Sequence, residues 1–151
     1  MVVDTSVWFR GDTCENAILA LGAGIAEGYW SAQIVGELTR TRLWVGKMDS
    51  GRRLVSPRGY LDYRKRQYDL IAAIDEVSTI VRLPAISPTA SEVEWAENDP
   101  DDLHVQLFAR AVTADYVVSS NTSDFPNRSE DSGLIRGQLE GIIWITPAQI
   151  F

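Results

Sequence analysis

Cysteine, histidine and long apolar runs are scarce in this chain of 151 residues. The single cysteine, Cys14, excludes an internal disulfide and a zinc site built from several cysteines. The single histidine, His104, excludes phosphodiester chemistry that depends on a histidine pair. No apolar run is long enough to cross a bilayer, and no basic-then-apolar leader opens the sequence. We therefore expect a cytoplasmic protein with no membrane partner.

Positive charge is also in the minority, with 14 Lys and Arg against 21 Asp and Glu and a formal net charge of −7. This balance excludes binding of nucleic acid through bulk charge alone. It does not exclude a nuclease, because a bound metal ion neutralises a carboxylate cluster locally. A P-loop ATPase is excluded because the chain has no Gly-x4-Gly-Lys segment. Ser6 stands where a haloacid-dehalogenase-type phosphotransferase would carry its second aspartate.

Short apolar strands alternate with amphipathic helices, and the length predicts a single domain over residues 1–151. Such alternation predicts an α/β fold with a central parallel sheet and helices on both faces. The segment 46–59 is predicted to be a loop or a helical break, and 127–135 a loop, because glycine, proline and polar residues interrupt the pattern. Strands are predicted at 2–6, 29–30, 79–83, 116–119 and 141–146, and helices at 15–27, 32–45, 60–76 and 89–97, with a further helix capped by Asp99.

Carboxylates lie where these strands end or where helices begin, as a divalent-metal site requires. Asp4 follows the first apolar run, Asp102 lies in a first helical turn, and Asp124 lies in the loop after a buried strand. Each also has an ordinary structural explanation. Asp4 and Asp124 suit turns or caps, and the helix dipole favours Asp102. Glu37, inside a helix, would alone be interpreted as an exposed partner of Arg40 or Thr41.

The order of the motifs is more informative than any one of them, and it resembles the PIN domain family. The likeness covers nearly the whole chain, and the nearest look-alikes are VapC-type toxin components and related stand-alone PIN proteins. It implies a PIN-like three-layer α/β/α domain with a central parallel sheet. The motifs are Asp4-Thr-Ser-Val, Ser31-x5-Glu37-Leu, Asp99-Pro-Asp-Asp102-x-His-Val, and Ala114-Asp-Tyr-Val-Val-Ser119-Ser-Asn121-x2-Asp124-Phe-Pro.

The PIN family consists of metal-dependent ribonucleases, and the resemblance assigns roles to the acidic residues. Asp4, Glu37 and Asp102 match its catalytic carboxylates and would hold Mg²⁺ or Mn²⁺. The fourth position is either Asn121 or Asp124, since family members carry acidic residues or Asn at one place and often an acidic residue at the other. We expect Asp124 to contribute more, because a charged oxygen is the stronger ligand for a hard cation.

Two serines complete the matched positions. Ser6 corresponds to the small polar residue beside the first aspartate. Ser119 replaces the threonine that is usual at the strand end, which keeps a hydroxyl group there. By contrast, we expect His104 to be a surface or half-buried helix residue rather than a catalytic base.

Basic residues concentrate in the middle of the chain. Arg52, Arg53 and Arg58 could clamp RNA phosphates or line a groove for an acidic partner segment, and the alternative is a solvated face without a function. We expect a ribonuclease that is the toxin of a type II toxin–antitoxin pair, with RNA as substrate, a small antitoxin as partner and a possible homodimer. The alternative is a non-catalytic PIN-fold interaction module whose acidic pocket binds a partner protein.

Overall fold

The computed structural model describes residues 1–9, 11–48, 57–82, 85–97 and 100–150. Within these ranges the description covers only the backbone at residues 9, 11–12, 41–48, 57–64 and 67. The α-helices and strands in the described ranges are β1 Val2–Val3, α1 Gly11–Gly22, β2 Gly28–Trp30, α2 Ala32–Met48, α3 Pro57–Val77, β3 Ser78–Ile80, α4 Ala90–Ala96, α5 Leu103–Ala111, β4 Tyr116–Val118, β5 Ser129–Asp131, β6 Leu134–Leu139 and β7 Ile142–Ile145.

The strands form one mostly parallel sheet in the order β3-β2-β1-β4-β7-β6-β5. Strands β3, β2, β1, β4 and β7 are parallel to one another, whereas β6 and β5 extend the sheet as an antiparallel hairpin. The mixed α/β class and the parallel centre of the sheet are therefore confirmed. The arrangement is compatible with three layers, α/β/α.

The core lies on both faces of the sheet because consecutive strand residues point in opposite directions. Val3 belongs to a buried cluster that includes Leu21 of α1 and Ile74 of α3. Val2 belongs to a second cluster that includes Phe108 of α5. Helices therefore bury both sides of β1, and β1 is held at the centre of the sheet.

A buried polar network ties α4 to α5 under the second face. The capping box of Thr89 and Glu92 begins α4, and the Glu92 carboxylate is fully buried. It accepts hydrogen bonds from Arg110 Nε at 3.1 Å and Nη2 at 3.0 Å. Gln106 Nε2 donates to it at 3.3 Å, and Gln106 Oε1 accepts from Trp144 Nε1 of β7 at 2.9 Å. Burying this charge is tolerable because it is paired and hydrogen-bonded.

The first helix was predicted over 15–27, but α1 ends at Gly22. Its end is closed by backbone hydrogen bonds from Gly24 N to Leu21 O at 3.0 Å and from Ile25 N to Ala20 O at 3.0 Å. Gly24 has a φ of +71°, the left-handed conformation that commonly terminates helices. The prediction was wrong because it took Gly28, rather than this earlier glycine, as the stop.

The polar loop predicted at 127–135 was also wrong, because much of it is the hairpin of β5 and β6. Ser132 and Gly133 connect the strands with φ values of 52° and 80°. Two positive φ angles are typical of the tight turn whose twist matches a hairpin. The side chains of β5 are all exposed, so no apolar alternation marks it in the sequence.

Other boundaries differ by a few residues. In the predicted loop 46–59, residues 46–48 are helical in α2 and residues 57–59 are helical in α3, while 49–56 lie outside the described residues. Asp99, the expected helix cap, also lies outside them. Residues 100–102 form a short 3₁₀ helix before α5. No helix in the described ranges is both long and apolar enough to span a membrane.

Candidate functional site

Asp4 lies at the carboxyl end of β1, where the chain leaves the sheet. Val3 pairs with Val118 of β4, and Asp4 N donates to Val118 O at 2.9 Å. The side chain is only 6% exposed. Its Oδ2 accepts hydrogen bonds from Ser6 Oγ at 2.6 Å, Ser119 Oγ at 2.8 Å and Ser6 N at 3.3 Å. The carboxylate is therefore fixed in one orientation at the sheet edge.

The same two serines join the loop after β1 to the loop after β4. Ser6 Oγ accepts from Ser120 N at 2.9 Å, and Ser119 Oγ accepts from Asn121 N at 3.1 Å. The hydroxyl groups lie 3.2 Å apart. Every hydrogen bond that the described residues give the Asp4 carboxylate ends on Oδ2. Within the described part of the chain, Oδ1 is thus the Asp4 oxygen that could accept a further ligand.

Glu37 of α2 lies beside Asp4. Ser31 Oγ caps α2 by accepting from Ile34 N at 3.2 Å, and the helix buries Ile34 and Leu38 on either side of Glu37. Thr5 Oγ1 donates to Glu37 Oε2 at 3.1 Å. Thr5 follows Asp4 directly, so this bond holds the two carboxylates in the same region.

The surroundings of Glu37 change the pKa of its carboxyl group. Burial is the main reason that the pKa of the Glu37 carboxyl is raised above its ordinary value. The neighbouring imidazole of His104 and the hydroxyl of Thr5 act against the rise in the pKa of Glu37, while the charge of Asp4 adds to it. A nearby cation would offset the cost of burying Glu37 and its repulsion from Asp4, because it stabilises both ionised carboxylates at once.

His104 differs from the expectation of a surface or half-buried residue, because it is only 8% exposed. Its Nδ1 donates to the backbone oxygen of Asp101 at 2.6 Å. Its Nε2 lies 3.4 Å from Glu37 Oε2. The ring is buried because His104 lies one helical turn before Phe108, whose side chain is fully buried in the core.

Asp102 is half-buried at the junction between the 3₁₀ segment and α5. It occupies the N-cap position, but its side chain makes no capping hydrogen bond. Among the described side chains, no group of three or more His, Cys, Asp or Glu is placed to hold a metal ion. Of the acidic residues matched to the PIN motifs, the described contacts bring Asp4 and Glu37 together. His104, two residues after Asp102, approaches Glu37.

Asn121 and Asp124, the two alternatives for the fourth position, form one hydrogen-bonded unit. Asn121 Nδ2 donates to Asp124 Oδ2, and Ser123 Oγ donates to Asn121 Oδ1 at 2.8 Å. Phe125 is buried, and Trp95 Nε1 donates to the backbone oxygen of Asp124 at 3.0 Å. This loop is therefore anchored from both ends beside Ser119. A change at either residue would disturb the other.

The basic residues proposed to contact RNA are only partly located. Arg52 and Arg53 lie outside the described residues. Arg58 was assigned to a loop, but it lies in the first turn of α3, where the description covers only the backbone. The correction follows from the start of the helix at Pro57, since proline is favoured in a first helical turn.

Thr5 and His104 are the two site residues that sequence reasoning did not assign. Thr5 gave no signal, because its contact joins residues 32 positions apart. His104 could have been found from its position four residues before Phe108, on the buried face of α5. That spacing predicts burial, although not the contact with Glu37.

Comparisons with protein-family models, with curated proteins and with solved structures found no match to this chain.

Proposed function

We propose that this protein is a divalent-metal-dependent endoribonuclease of PIN type, which hydrolyses RNA phosphodiesters. The observation that carries the proposal is the pair of carboxylates, Asp4 and Glu37, at the carboxyl edge of a parallel sheet. Ligands of α/β proteins bind at that edge. The pair is not a simple surface feature, because Asp4 is buried and three side-chain hydroxyls orient the two carboxylates.

The donor set fits a divalent ion such as Mg²⁺ or Mn²⁺. Asp4 presents Oδ1 without a hydrogen bond from the described residues, and Glu37 presents a second hard oxygen. A magnesium ion is commonly held by one or two carboxylates, with waters and substrate phosphates completing its shell. Two protein carboxylates therefore suffice for binding, and a preformed group of three is not required. The rim of the same site would be formed by Asp102, Asn121 and Asp124.

When bound, the ion would supply an activated water and neutralise charge that develops on the phosphate. The chain's own contribution is orientation. Ser6 and Ser119 hold the Asp4 carboxylate, and Thr5 holds Glu37. Burial limits competing water at Asp4. Positioning of this kind is worth orders of magnitude in rate, because it avoids reorganisation during the reaction.

The proposed biological role is that of a cytoplasmic toxin with a small antitoxin partner, and the protein could act as a homodimer. RNA is the substrate in this proposal. Since the net charge is −7, RNA must be held by a local basic surface. Arg52, Arg53 and Arg58 are the proposed contacts, with an acidic antitoxin segment competing for them.

The test is cleavage of labelled RNA in Mg²⁺, in Mn²⁺ and in excess chelator, by the unchanged protein and by Asp4→Asn. We expect cleavage only with metal, and a loss of at least about 100-fold in Asp4→Asn, which removes a charged ligand. Asp131→Asn is the matched control, because it makes the same change at an exposed residue of β5.

Two results would overturn the proposal. One is metal-dependent cleavage by Asp4→Asn at the rate of Asp131→Asn. The other is a folded protein that cleaves no RNA under any metal condition, which would instead favour the non-catalytic interaction module.

A further inference from the structure

His104 carries an unexplained polar atom inside the proposed site. The backbone oxygen of Asp101 can only accept a hydrogen bond, so the 2.6 Å contact places a hydrogen on Nδ1 of His104. In a neutral ring, Nε2 then carries a lone pair and can only accept a hydrogen bond or bind a metal ion. This atom is buried and makes no hydrogen bond within the described part of the chain.

A positive charge beside Nε2 would be energetically favourable. The carboxylate oxygen Oε2 of Glu37 lies 3.4 Å from it. A lone pair that faces a carboxylate oxygen is repelled by it, and a buried nitrogen without a partner is costly. A proton or a metal ion between the two atoms would remove both penalties.

The distance favours a metal ion over a proton. A charge-assisted hydrogen bond between nitrogen and oxygen spans about 2.7–2.9 Å. Two neighbouring ligands bound to one ion by bonds of about 2.1 Å lie about 3.0 Å apart in octahedral geometry and about 3.4 Å apart in tetrahedral geometry. The observed separation of 3.4 Å lies beyond the hydrogen-bond range and at the upper end of the spacing of two ligands on one ion.

The other ring nitrogen supports the same conclusion. Histidines that bind metals almost always donate their second nitrogen to a carbonyl or carboxylate, which fixes the tautomer and the ring orientation. His104 makes this contact with the backbone of Asp101 at the start of α5. The ring is therefore already oriented with Nε2 directed at Glu37.

We propose that His104 Nε2 and Glu37 Oε2 bind the same divalent ion, beside Asp4. This inference rests on the proposed metal-dependent function and specifies its cofactor. Mg²⁺ favours oxygen ligands, whereas imidazole nitrogen favours transition metals. The site would thus select Mn²⁺ and later first-row ions over Mg²⁺.

The test uses the fact that His104 is the only histidine in the chain. Protein freed of any histidine tag is loaded with Mn²⁺ and studied by pulsed electron paramagnetic resonance, which detects imidazole nitrogen bound to the ion. We expect a nitrogen coupling in the unchanged protein and none in His104→Gln. We also expect Mg²⁺ to compete with Mn²⁺ at least about tenfold more effectively in His104→Gln.

The outcomes separate this inference from the proposed function. Bound Mn²⁺ without a nitrogen coupling would overturn the role of His104 and leave the carboxylate site intact. Failure of the unchanged protein to bind Mn²⁺ would overturn both. If His104→Gln does not fold, the unchanged protein still decides the question, because no other imidazole is present.

Discussion

At the scale of single residues, Ser119 links the Asp4 carboxylate to the loop after β4. Its hydroxyl donates to Asp4 Oδ2 and accepts from Asn121 N, and the side chain is fully buried. Ser119→Ala removes a hydrogen bond to a charged group and leaves a buried acceptor with fewer donors. We expect a loss of about 2 kcal/mol in the free energy of unfolding, measured by urea denaturation.

The control for Ser119→Ala is Ser132→Ala, at the exposed hairpin turn. This variant should change stability by no more than about 0.5 kcal/mol. Equal effects of the two substitutions would show that Ser119 does not hold Asp4.

Glu37 should give the protein a characteristic dependence on pH. Because the pKa of Glu37 is raised in the folded state, mainly by burial, the folded protein holds this proton more tightly than the unfolded chain does. Its contribution to stability is therefore largest below the ordinary pKa of 4.5 and falls as the pH rises through the folded pKa. Glu37→Gln should lack this fall.

The measurement is the free energy of unfolding of both proteins in metal-free buffer across this range. The advantage of Glu37→Gln over the unchanged protein should grow as the pH rises above 4.5, then become constant. A difference that shrinks over the same range would contradict the raised pKa of Glu37.

The sequence predicts the location of those site residues whose positions are determined by the end of a strand. Asp4, Ser6 and Ser119 follow buried strands, so their neighbourhood could be predicted from the parallel pairing of β1 and β4. The hydrogen bond from Thr5 to Glu37 and the close approach of His104 to Glu37 could not be predicted. They depend on how α2 and α5 pack over the sheet, which no local pattern specifies.

At the scale of elements, β6 packs closely against the backbone that follows the Asn121–Asp124 loop. A Cβ added at Gly137 would lie 2.5 Å from Pro126 O, a backbone atom that cannot move aside alone. Gln138 N also donates to Pro126 O at 2.8 Å. The hairpin therefore supports the loop that carries Asp124.

Gly137→Ala should consequently destabilise the protein by about 2 kcal/mol, because overpacking forces the backbone apart. Gly36→Ala is the control, since its added Cβ would meet nothing within 4 Å and alanine is the better helix former. Chemical denaturation should give Gly137→Ala a lower free energy of unfolding than the unchanged protein, and Gly36→Ala a higher one. A neutral Gly137→Ala would show that the hairpin is not closely packed on this loop.

The elements that were predicted well are those with strong local signals. The short strand at 29–30 and the acidic helix at 89–97 correspond closely to β2 and α4, and the capping box of Thr89 and Glu92 marks the start of α4. The β5–β6 hairpin was missed because its exposed residues lack the alternation that burial imposes. Residues 49–56 remain a prediction, since they lie outside the described residues.

At the scale of the whole molecule, the sheet order determines where the site lies. Strands β1 and β4 are neighbours at the centre, with helices packed on both faces of β1. Their carboxyl ends meet at one edge, and α2 and α5 bring Glu37 and His104 to that edge. The central claim is that this edge holds a divalent ion.

The most direct test is the thermal midpoint of the metal-free protein as Mn²⁺ is added. An ion that binds only the folded state at about 100 times its dissociation constant contributes about 2.7 kcal/mol, which raises the midpoint of a domain of this size by about 5–10 °C. We predict this rise in the unchanged protein and in Asp131→Asn, and its loss in Asp4→Asn. A midpoint that millimolar Mn²⁺ leaves unchanged, or that rises equally in Asp4→Asn, would contradict the account.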